Sequence, residues 1–146
     1  MHYLYKPQSL DDPFLSLIKD DPVRPEIPVE FRLSDRSEIY ILMEEQNPLA
    51  VLCVAYCDSI PATCEELFSI PTELTAVIFY TVWSYVAGAG RELVLNAAAQ
   101  IKEQHENVKR FVTLSPKTEM AQRFHLKNGA SIFRENPESF NYEYSL

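Results

Sequence analysis

The chain has 146 residues, of which 47% are hydrophobic and 23% charged, and its formal net charge is −8. This length predicts one domain with a single core over residues 1–146, and the hydrophobic content excludes a disordered chain or a coiled coil. The negative charge argues against nucleic acid and anionic membranes as partners. Three cysteines indicate a reducing compartment, and residues 1–12 lack the basic and apolar regions of a secretion signal. We therefore expect a cytoplasmic globular domain.

The first half of the chain predicts a short helix and a β-hairpin. Apolar residues at helical spacing behind Asp12 indicate the helix, and the prolines that follow it prevent regular helix. In chain order we expect a helix within 11–21, an extended segment at 22–28, strands Glu38–Glu44 and Leu49–Cys57 joined by a turn, and a connection with a short helix at 64–67.

The uncharged stretch from Leu74 to Gly90 is nearly long enough to span a membrane. Its β-branched and aromatic residues favour a strand instead, so we interpret it as a buried central strand of a sheet. The elements predicted after it alternate between helix and strand. They are a helix at 91–106, a strand at 111–114, a helix that begins at Ser115-Pro116 and ends before Gly129, and a final hairpin around Asn136-Pro137.

Two of the three glycines, Gly88 and Gly90, lie between the central strand and the next helix. Such a turn presents free backbone N–H groups at the positive end of the helix dipole, which is a common seat for phosphate or diphosphate. Arg91 adds a positive charge. The turn lacks the Lys-Ser/Thr pair of a Walker A loop, and Leu93 stands where a dinucleotide-binding turn needs its third glycine.

The charges are distributed unevenly along the chain. Residues 1–87 carry five basic and fourteen acidic side chains, whereas residues 88–134 carry eight basic and four acidic ones. A basic block in an acidic protein is typical of a site for a small polyanion, although solvated helix faces would give the same pattern.

The second half of the chain resembles the GNAT superfamily of N-acetyltransferases in two short motifs. The family's [QR]-x-x-G-x-[GA] turn corresponds to residues 85–90, with Tyr85 in place of Gln or Arg. Its A-x-x-F-Y-x-x-x-G-F helix motif corresponds to residues 121–130, where His125 replaces the tyrosine and Ala130 the last aromatic residue. The order of the predicted elements also agrees with this family.

The resemblance implies an α/β (α+β) fold with helices flanking a mixed central sheet, split between two parallel strands. The pantetheine arm of acetyl-CoA would enter the split, and the turn would hold the diphosphate, with Arg123 and Lys127 near the adenosine phosphates. The acyl-CoA-binding residues that it implies are Val82, Trp83, Val86, Ala87, Gly88, Ala89, Gly90, Arg91, Thr118 and Phe124.

His125 is the catalytic candidate, because in many members of the family a tyrosine protonates the leaving CoA thiolate. An imidazolium ion near neutral pH could take that role, and a half-buried structural histidine is the alternative. A general base is harder to find, since no acid lies between Glu73 and Glu92. The remaining candidates for a base are Glu44, Glu65 and Glu66, each acting through a water molecule. Cys53 is interpreted as a core residue, and the three cysteines do not have the spacing of a metal site.

The leading functional hypothesis is an acetyl-CoA-dependent N-acyltransferase that acts on a small-molecule or peptide amine. One alternative is a non-catalytic acyl-CoA-binding or interaction module on the same fold. Another is decarboxylation of a malonyl thioester, because Thr113-Leu114-Ser115-Pro116 resembles malonyl-CoA decarboxylases. Aromatic residues of the final strand, if exposed, would form the seam of a homodimer; they are Phe140, Tyr142 and Tyr144.

Overall fold

The computed structural model describes residues 1–69 and 72–146. Its strands are β1 (His2–Tyr5), β2 (Ser37–Glu44), β3 (Asn47–Cys57), β4 (Ala76–Ser84), β5 (Arg110–Thr113), β6 (Ser115–Pro116), β7 (Ser131–Glu135) and β8 (Ser139–Tyr144). Its helices are a 3-10 helix (Pro13–Asp20), α1 (Val29–Arg32), α2 (Cys64–Leu67), α3 (Ala89–Gln104) and α4 (Glu119–Lys127).

All eight strands form one mixed sheet in the order β1-β2-β3-β4-β5-β8-β6, with β7 paired to the other side of β8. Strands β2, β3 and β4 are buried along almost their whole length, so both faces of the sheet are covered. This explains why these strands are continuous apolar runs rather than alternating patterns. The uncharged stretch is thus a central strand, as predicted, and no helix of the described residues has the length and hydropathy to cross a bilayer.

The sheet splits between its parallel strands. β4 and β5 are paired only from Ala76–Phe79 with Arg110–Thr113, followed by a last bond from Leu114 N to Phe79 O at 3.1 Å. β4 then continues to Ser84 against β3, whereas the chain after β5 turns into β6 and pairs with β8. This is the split that the family resemblance implied.

A register shift marks the point where the split begins. Cys53 on β3 pairs with Thr81 and Val54 pairs with Phe79, so Tyr80 of β4 has no partner on β3. Such a bulge bends and twists a strand locally. This bulge lies where β4 parts from β5, because the last bond between them is to Phe79 O.

The core has two layers, one on each face of the sheet. One layer packs under α3 and includes Leu93, Ala97, Ile101, Phe79 and Tyr142. The other lies under the 3-10 helix and the segment that follows it, and it includes Ile27, Trp83 and Leu114. Helix α3 shows the spacing that produces this packing, with its buried residues three or four apart on one face.

One predicted helix boundary needs correction. The helix predicted to begin at Ser115-Pro116 begins instead at Glu119, with Thr118 as its N-cap, because Ser115 and Pro116 pair with β8 as β6. The short helix expected within 11–21 is confirmed as a 3-10 helix over Pro13–Asp20. At the start of the chain, His2 lies on β1 and bonds to Glu92 of α3.

The expected dimer seam on the final strand is also wrong. Tyr142 and Tyr144 are buried, at 0% and 3% exposure, and Phe140 is partly buried against the same core layer. β8 is also paired along both edges, with β5 and β6 on one side and β7 on the other, and its aromatic residues pack in the core layer under α3.

Candidate active site

A cavity of about 330 Å³ lies where β4 and β5 separate. It runs through the split from one face of the sheet to the other, because its walls include members of both core layers. Phe79 and Phe124 belong to the layer under α3, whereas Trp83 and Leu114 belong to the opposite layer. The cavity is lined mostly by apolar side chains and by a few polar groups at fixed positions. Such a lining suits a flexible, chain-like ligand.

His125 of α4 is the cavity's basic side chain, and it is 5% exposed. Its Nδ1 shares a hydrogen bond of 2.8 Å with the Tyr144 hydroxyl, and its ring stacks on Tyr142. Burial lowers the pKa of the imidazole from 6.5 to about 4. His125 is therefore neutral near pH 7, which corrects the expectation of an imidazolium proton donor.

Ser115 is a cavity residue that the sequence reasoning missed as a functional candidate, because it was assigned to a helix N-cap. Its side chain is buried and donates to Thr113 Oγ1 at 2.8 Å, and Thr113 Oγ1 also accepts from Tyr142 N at 3.1 Å. The signal that could have identified it is the Thr113–Pro116 motif. Ser115 and His125 thus bring a hydroxyl and a neutral imidazole to the wall of one cavity.

The glycine turn lies beside the cavity at the start of α3. Gly88 is the N-cap with a φ of +82°, a conformation that other residues adopt at a cost. Within the described residues, the Ala89 N–H donates to Val86 O at 3.2 Å. Five other N–H groups of the turn have no protein acceptor. These belong to Val86, Ala87, Gly88, Gly90 and Arg91.

The predicted acyl-CoA-binding residues fall into two adjoining groups. One group lines the cavity and consists of Val82, Trp83, Gly90, Thr118 and Phe124. The other forms the turn itself and consists of Val86, Ala87, Gly88, Ala89 and Arg91. A chain that extends from the turn into the split would contact both groups in succession.

Tyr85, which stands in place of the Gln or Arg of the family motif, lies at the start of residues 85–90. Tyr85 donates to Asp20 of the 3-10 helix at 2.8 Å and accepts from Trp83 Nε1 at 3.0 Å. Of the basic residues expected near the phosphates, Arg123 pairs with Glu119 on its own helix, and Arg91 and Lys127 are exposed.

No carboxylate lines the cavity among the described residues. Glu44 contacts His2, Glu66 accepts from Ala62 N, and Glu65 is exposed, so none of the three base candidates lies at the split. Cys53 is buried, and burial raises the pKa of its thiol to about 11, in agreement with a core role. Among the described residues there is also no His, Cys, Asp and Glu cluster able to hold a metal ion.

The fold is similar to solved structures of two kinds. Malonyl-CoA decarboxylase from Cupriavidus metallidurans has a TM-score of 0.75 and 17% identity over 98% of this chain and 60% of that one. The enzyme from Agrobacterium vitis has a TM-score of 0.69 and 20% identity over 84% and 35%. A GNAT family acetyltransferase from Elizabethkingia anophelis, with acetyl-CoA bound, has a TM-score of 0.67 and 11% identity over 99% and 98%.

No family model matches the sequence, and no curated protein matches it either. At identities below 25% these likenesses establish the fold, which is that of the GNAT acetyltransferases. The chain spans between about a third and three fifths of the length of the malonyl-CoA decarboxylases, and almost the whole length of the acetyltransferase.

Proposed function

We propose that the split binds the acyl-pantetheine arm of an acyl-CoA and that the protein is an enzyme acting on the thioester. The free N–H groups between Val86 and Arg91 fit the diphosphate of coenzyme A, and the adjoining apolar cavity fits the pantetheine. The acetyl-CoA bound to the Elizabethkingia anophelis acetyltransferase supports this choice of ligand.

The cavity supports decarboxylation of a malonyl-type thioester best. The observation that carries this proposal is the composition of the cavity wall: within the described residues it contains Ser115 and the buried His125 but no carboxylate. An ammonium acceptor must lose a proton before it attacks a thioester, and an imidazole with a pKa of about 4 is a poor base for it. Decarboxylation needs neither an acceptor nor that base.

The reaction breaks the bond between the α-carbon and the carboxylate carbon, and CO2 leaves. The electron pair moves toward the thioester, so negative charge develops on the thioester oxygen, and the α-carbon then takes a proton from water. An apolar wall destabilises the carboxylate, and preorganised donors stabilise the developing oxyanion. When Tyr144 donates to Nδ1, the Nε2–H of His125 is one such donor. The Ser115 hydroxyl is a second once its proton turns from Thr113 Oγ1 to the thioester oxygen.

N-acyl transfer to an amine is the second candidate. It is favoured by the match with the Elizabethkingia anophelis acetyltransferase, which covers nearly the whole of both chains. Positioning a thioester beside its acceptor accelerates transfer even without a strong base. In this reaction the acceptor nitrogen bonds to the thioester carbonyl, the C–S bond breaks, and the thiolate takes a proton.

Product analysis separates the reactions. The protein is incubated with malonyl-CoA, and with acetyl-CoA over a panel of amines, and acetyl-CoA, CO2 and free CoA are quantified. We expect acetyl-CoA and CO2 from malonyl-CoA alone. Amine-dependent release of CoA instead identifies a transferase, and saturable binding without turnover identifies a binding module. Failure to bind CoA or either thioester overturns the proposal.

Substitutions in the cavity test the assigned roles. We expect His125→Phe and Ser115→Ala to lower kcat at least about 100-fold, as loss of an oxyanion donor does, while the affinity for acetyl-CoA is retained. The matched control is His105→Phe, since the His105 ring contacts the ring of Tyr56 and does not line the cavity. Full activity of both cavity variants would exclude these side chains from the reaction.

A further inference from the structure

The segment Asp21–Arg24 crosses the split of the sheet. It makes two hydrogen bonds across the split, one to β4 and one directly after β5, which are called ties below. Asp21 Oδ1 accepts a hydrogen bond from Thr81 Oγ1 of β4 at 2.8 Å. Arg24 Nη2 donates to the carbonyl of Leu114, just after β5, at 2.9 Å. Between these ties lie Pro22 and Val23, and both line the cavity.

Internal bonds hold this segment in a fixed shape. Arg32 has no exposed surface, and its guanidinium donates to Asp21 Oδ2 at 2.7 Å, to Arg24 O at 2.6 Å and to Ile27 O at 2.9 Å. Asp21 Oδ1 also accepts from Val23 N at 2.7 Å and Arg24 N at 3.0 Å. A segment tied at this many points forms a preformed wall rather than an adaptable loop.

The direction of the cavity indicates which part of a bound thioester this wall meets. The glycine turn opens α3, which packs on one face of the sheet, so the diphosphate lies on that face. A pantetheine arm that passes through the split emerges among Trp83 and Leu114, in the opposite core layer. That is where the Asp21–Arg24 segment is tied, so the acyl end would face Val23.

We propose that Val23 is a specificity-determining residue, which contacts the acyl group and limits its size. This inference rests on the proposed binding of an acyl-CoA in the split. Val23 is half-buried and lies between the ties at Thr81 and Leu114, so a shift of its backbone would break one of them. One methylene that does not fit such a pocket costs about 10- to 200-fold in affinity or specificity.

The test uses stable thioether analogues, S-ethyl-CoA and S-butyl-CoA, and measures their dissociation constants by calorimetry. The wild-type protein is expected to bind S-ethyl-CoA more tightly. Val23→Ala is expected to raise the affinity for S-butyl-CoA relative to S-ethyl-CoA about tenfold, with the affinity for CoA unchanged. Thr81→Val, which removes the tie to β4, should shift the ratio in the same direction.

The control is Val29→Ala, a partly buried valine on α1 that does not line the cavity. An equal change in this variant would indicate general loosening and would overturn the inference. If CoA binds but Val23→Ala leaves the ratio of the two analogues unaltered, the role of Val23 is wrong and the proposed function stands. If the wild-type protein binds no CoA, the proposed function is wrong and the role of Val23 with it.

Discussion

The ring of Phe124 lies directly against Gly90, so that a Cβ built on the glycine would meet Phe124 Cε1 at 3.4 Å and Cζ at 3.5 Å. Both residues line the cavity, and their contact packs α4 onto the first turn of α3. The glycine at position 90 therefore allows an aromatic ring to approach the backbone of the turn closely.

Gly90→Val is expected to lower the affinity for CoA at least about tenfold, because its γ-carbons would push the ring into the cavity. Gly90→Ala, whose Cβ makes only an ordinary van der Waals contact, should bind almost as the wild type does. The double variant Gly90→Val with Phe124→Ala should recover part of the loss, since the obstructing ring is gone. Calorimetric titration with CoA measures all three, and unchanged affinity in Gly90→Val would contradict the assignment of the turn.

Gly88 and Gly129 offer a matched comparison. Both have positive φ, +82° and +101°, and a Cβ at either would have nothing within 4 Å. Substitution by alanine therefore costs backbone strain only, about 1 kcal/mol of the free energy of unfolding at each site. We expect chemical denaturation to show similar losses and CoA titration to show weaker binding for Gly88→Ala alone, because only that turn adjoins the cavity. Equal binding by both variants would argue against the turn as the diphosphate seat.

Sequence patterns predicted the parts of the fold that local residues determine. Each of three features is visible as a pattern within a few neighbouring residues. They are the apolar run of β4, the spacing of buried residues in α3 and the end of α4 at Gly129. The start of α4 is not determined by a local pattern of this kind. Ser115 and Thr118 are both good N-caps, and the pairing of Ser115 with Phe140 of β8 decides between them.

The same distinction holds for the candidate site. The glycine turn and His125 belong to motifs of ten residues or fewer, so the sequence identifies them. The wall at Val23 depends on ties to Thr81 and Leu114, which are far away in the chain. The neutral state of His125 likewise depends on burial among residues of other elements, Tyr142 and Tyr144 of β8. Tertiary relationships of this kind leave no local pattern.

The buried imidazole predicts a pH dependence of stability. Because the folded-state pKa of His125, about 4, is below its ordinary value of 6.5, the unfolded chain binds a proton first as the pH falls. The wild-type protein should therefore lose stability relative to His125→Phe between pH 7 and pH 4.5, by roughly 2 to 3 kcal/mol. Urea denaturation of both proteins at the two pH values measures this, and a constant difference would contradict the burial of a neutral His125.

The ion pair of Arg32 with Asp21 predicts a large loss of stability when one partner is removed. Both side chains are fully buried, so Arg32→Met leaves an uncompensated carboxylate in the core and should cost about 3 to 5 kcal/mol. The control is Arg123→Met, whose exposed pair with Glu119 should contribute almost nothing. The two are compared by denaturant midpoints. Similar midpoints would show that the Asp21–Arg24 segment is held by other contacts.

Removal of the hydroxyl group is expected to affect the free energy of unfolding differently at Tyr142 and at Tyr56. Among the described residues the buried Tyr142 hydroxyl has no hydrogen-bond partner, whereas the Tyr56 hydroxyl donates to Glu38 Oε1 at 2.6 Å. Tyr142→Phe removes an unsatisfied buried group and should leave stability unchanged or raise it by up to about 1 kcal/mol. Tyr56→Phe removes a bond to a charged acceptor and should cost about 1.5 to 3 kcal/mol. Thermal and chemical denaturation test both, and a destabilised Tyr142→Phe would mean that its hydroxyl has a partner in solution, such as a buried water molecule beside His125.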